Sequence, residues 1–289
     1  MPELPEVEVV KRSLTKKVQN LIIKKVIIND VRLRYRVEKK KIRKIKGLKI
    51  IKIERRSKFL LFFFNKPIIM LVHLGMTGKF FYINKKNAKF KTSFYYNINY
   101  TKEKKYNRVV FFFNKKQKLI YNDVRKFGFI KLLDDNKYRH NIHIKHLGPE
   151  PLKKKFNYIY IKNYIKGRNR AIKDILMDQK FVSGVGNIYA NEILYMSKIN
   201  PFRKVKKLKE FELKKIVNYT KKILKKAIEL GGSSIKDFSS CNGKNGSFQQ
   251  HFKVYGKKGE KCSRVICKYR IVKTSISKRA TFFCSNCQK

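Results

Sequence analysis

Met1-Pro2-Glu3-Leu4-Pro5-Glu6-Val7-Glu8-Val9-Val10, continued by Lys11-Arg12-Ser13-Leu14-Thr15-Lys16-Lys17-Val18, decides how the fold is read. Pro5 suits the first turn of a helix, where its missing N–H removes no bond. Val7, Val10, Leu14 and Val18 recur at three- and four-residue steps, which gives that helix one buried stripe. A helix with one apolar stripe needs a surface to lie on, and the following chain supplies strands. Between Leu21 and Leu133 short apolar runs rich in Ile, Phe, Val and Tyr alternate with turns: Leu21 to Ile28, Leu48 to Ile53, Phe59 to Phe64, Ile68 to Leu74, Val109 to Phe113, Lys118 to Tyr121 and Phe127 to Leu133. One leading helix followed by such runs predicts a two-layer β-sandwich. Asn84 to Tyr106 is polar and lysine-rich and reads as a loop.

The same opening carries a candidate reagent. A small second residue favours removal of Met1, which would leave Pro2 with a free secondary amine. An α-amino group has a pKa of about 7.7 to 8.0 against about 10.4 for lysine, so roughly a tenth of it is neutral at pH 7. Such an amine can attack a sugar or carbonyl carbon and form a Schiff base. Glu3 and Glu6 lie beside it and can exchange protons with the amine and a substrate. The alternative for acids in a first turn, Glu6 and Glu8 above all, is that they complement the helix dipole.

Beyond Asp134-Asp135-Asn136-Lys137 the pattern turns helical. The chain divides into an N-terminal sandwich over 1–133, a hinge over 134–150, a helical domain over 151–247 and a zinc finger over 248–289. Ala171 to Asp178 and Asn187 to Ile199 read as helices joined by a turn containing Gly184 and Gly186, with Asn187 placed to cap the second. Helix starts with bare amides bind phosphate, so this turn can clamp a nucleic-acid backbone. Leu208 to Leu230 reads as a long helix with Phe211, Val217, Leu224 and Ile228 among its apolar positions, stopped by Gly231-Gly232. Ser233 to Ser247 is small, polar and flexible in composition.

The tail holds Cys262-x4-Cys267-x16-Cys284-x2-Cys287. Two close cysteine pairs at this separation signal a structural tetrahedral Zn²⁺. Cys241 stands outside the set as an unpaired thiol. The chain has 289 residues and a net charge of +54, from 73 basic and 19 acidic residues. That sign points to a polyanion, nucleic acid above all. The dominance of Lys, Ile, Asn, Phe and Tyr is also what AT-rich codon usage produces, so the size of the charge says less than its sign. The longest apolar run, Phe59 to Phe64, is far short of the roughly 18 to 20 residues a membrane span needs, and the charged start leaves no room for a signal peptide. The expected location is the cytoplasm.

MPELPEVEVV resembles the start of the formamidopyrimidine-DNA glycosylase family, the bacterial enzymes that excise oxidised purines. Further matches are His73-Leu74-Gly75-Met76-Thr77-Gly78, Asp123-Val124-Arg125-Lys126-Phe127-Gly128, His146-Leu147-Gly148-Pro149-Glu150-Pro151-Leu152, the glycine turn before Asn187, and Arg279-Ala280-Thr281-Phe282 between the cysteine pairs. The resemblance spans nearly the whole chain. It implies an α+β fold: a β-sandwich with a leading helix, then a helical domain with a helix-two-turn-helix element and a β-hairpin zinc finger.

The resemblance also implies roles. Pro2 would be the nucleophile, Glu3 the proton carrier, Lys58 a helper in lesion handling and elimination, and Arg279 the finger-tip residue that grips phosphates and assists the second elimination. Met76, Arg125 and Phe127 would fill the void left by a nucleotide swung out of the duplex, with Arg125 facing the orphaned base. Taken singly, Met76 and Phe127 read more often as core residues, but Gly75, Gly78 and Gly128 argue for loop tips. Arg168 and Asn187 would hold phosphates, and Tyr106 stands where the family often has a DNA-contacting histidine. Ser233 to Ser247 resembles the loop that closes over the extruded base. The implied protein is a monomeric, nucleoid-associated repair enzyme acting on double-stranded DNA, with one structural Zn²⁺ and no catalytic metal. Departures are Val124 in place of a proline, the long Asn84 to Tyr106 stretch, and four residues rather than two between the first cysteines. Two rivals share many features: an endonuclease VIII-type enzyme for oxidised pyrimidines, against which Leu4 argues, and a non-catalytic zinc-containing nucleic-acid binder.

Overall fold

The structure, a computed structural model, describes residues 1–84, 104–114, 117–233 and 247–289, and the backbone of 89–92. It divides into two compact units, one of residues 1–145 and 230–249, the other of residues 146–229 and 250–289.

The first unit opens with α1 (Leu4–Val18), with Pro5 in its first turn. Among the described residues nine strands follow: β1 (Lys25–Ile28), β2 (Ile50–Arg56), β3 (Phe59–Phe64), β4 (Ile68–His73), β5 (Lys79–Ile83), β6 (Lys89–Thr92), β7 (Asn107–Phe112), β8 (Lys118–Asn122) and β9 (Phe129–Asp134), with a short helix α2 (Lys39–Arg43) after β1. They form two antiparallel sheets, ordered β1-β7-β8-β5-β6 and β2-β3-β4-β9. Leu60, Phe62 and Phe64 of β3 meet Phe80 of β5 and Phe111 of β7 in one core, which the α1 stripe Val7, Val10, Leu14 and Val18 joins. The sandwich is therefore as expected. The outer faces are apolar too. Leu61, Ile69, Leu71 and Phe129 cluster behind one sheet and Phe81, Val110 and Ile120 behind the other. Apolarity on both faces explains why Phe59 to Phe64 shows no alternation.

Two strands differ from the sequence reading. Lys79–Ile83 is a central strand, and Lys89–Thr92 pairs with it in the register Phe80↔Thr92 to Ile83↔Lys89. The stretch read as one loop thus contains a strand and, at Lys104–Tyr106, a 3₁₀ turn. Its lysines mislead because an edge strand tolerates charge. Residues 85–88 and 93–103 of that stretch lie outside the described residues, as do 234–246 of the small polar segment and Cys241 within it.

The second unit holds α3 (Tyr158–Ile165), α4 (Ile172–Met177), α5 (Asn187–Ser197), α6 (Glu210–Glu229) and the hairpin β10 (Val272–Ile276) and β11 (Arg279–Phe283). Residues 188 to 195 of α5 are all buried, so this is the central helix. In α6 the buried stripe is Leu213, Ile216, Thr220, Leu224 and Ala227. Phe211, expected to pack, is 53% exposed because its neighbours Glu212 and Leu213 take the inward face. Gly148 explains the motif around it. A Cβ there would come within 2.5 Å of the Lys180 and Phe181 carbonyl oxygens, so only glycine lets this segment lie on the turn before α5.

Candidate active site and nucleic-acid interface

Chain geometry brings the N-terminus, Glu3 and Lys58 into one electrostatic neighbourhood. Pro2 and Glu3 are buried at the start of α1. With Met1 present, the Pro2 nitrogen is an amide, and the Met1 amine reports the local field. Burial lowers its pKa below the ordinary 8.0; Glu3 pushes it up, Lys58 down, Glu6 up and Arg125 down. An amine here is neutral more often than in water, as a nucleophile near pH 7 requires. Lys58 occupies the two-residue turn between β2 and β3, where Arg56 pairs with Phe59 and Ser57 has φ +55°. At 7% exposure it is no solvated strand lysine. Glu8 anchors this turn to α1: its carboxylate accepts from Arg55 Nε (3.0 Å), and Arg55 donates to the Ser57 carbonyl (2.9 Å). Arg55, ahead of Lys11 and Arg12, holds the Glu8 carboxyl below its ordinary value against the opposing effect of burial.

Glu6 does different work. Its carboxylate accepts the backbone N–H of Glu3 (2.9 Å) and both the N–H and hydroxyl of Ser233 (2.8 and 2.9 Å). It therefore sets the backbone at the helix start and tethers the residues that follow α6. Glu3 and Glu6 together form a reciprocal capping box at the start of α1.

Met76 and Phe127 are 38% and 44% exposed at the tips of two loops, and Arg125 is exposed with its guanidinium over the Phe127 ring (4.6 Å). The glycines account for this placement. Gly75 has φ +60°, and a Cβ on it would strike the Phe127 and Gly128 backbone at 2.4 Å, so the loops lie back against each other. Asp123, fully buried, knits them: one oxygen accepts from the Thr77 hydroxyl (2.5 Å), the other from Gly128 N (2.9 Å), and Thr77 Oγ1 accepts from Arg125 N (3.0 Å). Arg108 supports the loop from behind, donating to the Asp123 carbonyl (2.9 Å) and to Asp30 (3.0 Å). Lys126 also pairs with Asp30 (2.9 Å), whose carboxyl is held far below its ordinary value, chiefly by the hydrogen bond from Lys126. Tyr106 is half-buried nearby, its carbonyl accepting from Asp123 N (3.1 Å) and its ring under Lys105 and Arg108.

In the second unit Asn187 does not cap α5. Gly186 occupies the cap position without a side-chain bond, and Asn187 is the first helical residue. Its Nδ2 donates to the Ala280 carbonyl (3.0 Å), while Oδ1 has no hydrogen-bond partner among the described residues. Gln179 shapes the turn before it, accepting from Gly184 N (2.8 Å) and donating to the Val185 carbonyl (2.7 Å). Arg168 is exposed just past α3, stacked over Tyr164 (4.4 Å) and donating to its carbonyl (2.6 Å). Arg279 opens β11 and is exposed. Cys262, Cys267, Cys284 and Cys287 converge, with all four sulfurs within 4.8 Å of one another. Sulfurs 2.3 Å from a tetrahedral Zn²⁺ would lie about 3.8 Å apart; Cys262–Cys287 and Cys267–Cys284 measure 3.8 and 3.6 Å. The donor set fits a thiophilic metal ion, and the four-residue knuckle does not prevent convergence. Asn286 donates to Cys267 Sγ, and this bond first among several lowers that thiol to about 6.

Residues 1–130 match the formamidopyrimidine-DNA glycosylase N-terminal domain, and residues 147–239 the formamidopyrimidine-DNA glycosylase H2TH domain. The chain belongs to the formamidopyrimidine-DNA glycosylase family. Among curated members, those of Rickettsia bellii (strain OSU 85-389) and Roseobacter denitrificans (strain ATCC 33942 / OCh 114) are 38% and 34% identical, each over 100% of both chains. Among solved structures, a mutant of the Lactococcus lactis family member in complex with a Fapy-dG containing DNA is 32% identical with a TM-score of 0.86. The wild-type Lactococcus lactis protein with an oxidised pyrimidine containing DNA is 32% identical with a TM-score of 0.84. Both cover 100% of each chain. No helix among the described residues is long and apolar enough to cross a membrane.

Among these residues, sequence reading missed Asp123, Arg108 and His73. Asp123 and His73 open the two quoted motifs, and a buried acid or imidazole at the neck of a glycine loop is a recognisable signal. Arg108 carried none, being one of 73 basic residues.

Proposed function

We propose that the protein is a bifunctional DNA glycosylase and AP lyase of base excision repair that removes oxidised purines, 8-oxoguanine and formamidopyrimidines, from duplex DNA. The observation that carries this reading is Pro2 buried at the head of α1, with buried Glu3 beside it and buried Lys58 in the same electrostatic neighbourhood. After loss of Met1, the Pro2 nitrogen attacks C1′ of the deoxyribose. The bond from C1′ to the base breaks, the base takes the electron pair and a proton, and the sugar ring opens as O4′ is protonated by Glu3. The product is a Schiff base between Pro2 and C1′. Removal of a C2′ proton then expels the 3′ phosphate, and a second elimination aided by Arg279 expels the 5′ phosphate, leaving a one-nucleotide gap. Met76, Arg125 and Phe127 fill the emptied stack. Arg168, Asn187 and the bare amides at the start of α5 take phosphates, and Tyr106 adds a contact from beside the wedge loop.

The four thiolates hold Zn²⁺ in a closed, structural site, and the metal builds the hairpin that presents Arg279. The protein works as a monomer in the cytoplasm at the nucleoid. Oxidised pyrimidines are the second reading, favoured by the complex of the Lactococcus lactis relative with such DNA.

Borohydride trapping tests the proposal. The processed protein is expected to form a covalent adduct with duplex containing 8-oxoguanine opposite cytosine, and Pro2→Gly or retained Met1 to reduce it at least tenfold, about 1.4 kcal/mol of lost transition-state stabilisation. An undiminished adduct in those variants removes Pro2 from the mechanism. A lesion panel ranks purines against pyrimidines, and binding without any adduct supports a non-catalytic binder.

A further inference from the structure

Among the described residues Lys173 is the one fully buried lysine of the second unit, with 0% exposure on α4. Its ammonium donates to the Ala280 carbonyl (2.9 Å) and to Thr281 Oγ1 (2.7 Å), the two residues that follow Arg279 in β11. Thr281 Oγ1 in turn donates to the Arg279 carbonyl (3.1 Å). Asn191 on α5 fixes the next residue, its Oδ1 accepting from Phe282 N (2.8 Å).

Burying an ammonium carries a desolvation penalty. An apolar side chain of the same length would fill the space without it, so the charge is retained for the bonds it makes. Those bonds converge on one turn of backbone, and the exposed side chain of that turn is Arg279. The metal cannot supply this restraint alone, since the tetrahedral thiols fix β11 only at its far end, through Cys284. A two-stranded hairpin is not self-supporting in water.

We propose that Lys173 is a positioning residue that aims Arg279: it locks the Ala280 carbonyl and the Thr281 hydroxyl, and through them the backbone from which the arginine projects. The inference rests on the role given above to Arg279. It predicts that, in the metal-loaded protein, the tip depends on the helices as well as on the metal.

The test is a double-mutant cycle in the full-length metal-loaded protein with an abasic duplex, reading duplex affinity and the ratio of β,δ- to β-eliminated product. Lys173→Met is expected to keep the metal content, raise amide hydrogen exchange over residues 279–283, and lower the δ-product ratio by about tenfold, within the range of directly coupled residues. Arg279→Ala should lower it similarly, and Lys173→Met should add nothing in that background. Unchanged exchange over 279–283, or an equal further loss in the Arg279→Ala background, overturns the proposal. If Arg279→Ala leaves cleavage unaltered, the reading of Arg279 fails, while the exchange measurement still decides whether Lys173 orders the tip. Thr281→Val deletes one acceptor with little change of shape; should Lys173→Met not fold, it is expected to give the same pattern at smaller amplitude, and normal exchange and product ratio in it overturn the proposal as well.

Discussion

His73 ends β4 with its imidazole 9% exposed, stacked on Phe129 at 5.6 Å and tilted against Phe59 at 5.1 Å. Nδ1 accepts from Gly75 N (3.1 Å), so the neutral ring sets the first residue of the Met76 loop. Burial, helped by Lys58, Arg34 and His143, lowers its pKa from 6.5 to about 3. The sign of the consequence is fixed by proton counting. Between pH 6.5 and about 3 the unfolded chain holds a proton on this histidine that the folded chain does not, so stability falls as the pH is lowered through that window. At pH 5 the loss is about 2 kcal/mol. His143, also depressed by burial, adds in the same direction. Denaturant midpoints at pH 7 and pH 5 check this, and His73→Asn, which keeps an acceptor for Gly75 but does not titrate, should flatten most of the difference. An equal slope in that variant would show that other groups carry the acid sensitivity.

The Met76 and Phe127 loops form one element, with the Asp123 carboxylate as its common acceptor. Asp123→Asn turns one acceptor into a donor facing the Gly128 N–H, which costs about 1 to 3 kcal/mol for an unmade buried bond. Thermal unfolding should record that loss. Affinity for duplex carrying a reduced abasic site should fall as the tips lose their fixed spacing, and an unaffected affinity would mean Met76 and Phe127 do not need Asp123. The four-cysteine hairpin behaves differently, because its small core of Tyr195, Val254, Ile271 and Phe282 closes around Cys262 and Cys284. Chelation is expected to unfold the finger and abolish duplex binding while the sandwich keeps its unfolding transition; one equivalent of zinc should be released, and metal-free protein that binds normally would defeat the reading. These elements were unequally legible. Glycines, cysteines and the α1 stripe announce themselves by spacing. Lys79–Ile83 and Lys89–Thr92 did not, since a strand's place in a sheet depends on partners remote in the chain, and Asn187 read as a cap until Gly186 took that position.

Across the whole molecule the net charge of +54 is the loudest signal and the least specific. That figure already nets out the acids, among them Glu8 paired with Arg55, Asp30 with Arg108 and Lys126, and Glu212 with Arg203, and of the cations left over Lys173 is buried under the finger tip. Only cations that neutralise phosphates release counterions, and each contributes about 0.9 to the slope of log K against log salt. If all the charge served DNA, the slope would be far steeper than any duplex footprint permits. A site gripping roughly six to ten phosphates gives a slope of about −5 to −9 and loses about a thousandfold to a hundred-thousandfold in affinity between 50 and 200 mM salt. Anisotropy titrations of an abasic duplex across that range are expected to fall in this band. Arg168→Ala or Arg279→Ala should each reduce the slope by about one, whereas Lys41→Ala, on the α2 surface where Lys41 pairs with Glu38, should leave it unchanged. A slope shallower than about −3, or one that Lys41→Ala reduces as much as Arg279→Ala does, would mean that binding is spread over the surface and that the named arginines are not the grip.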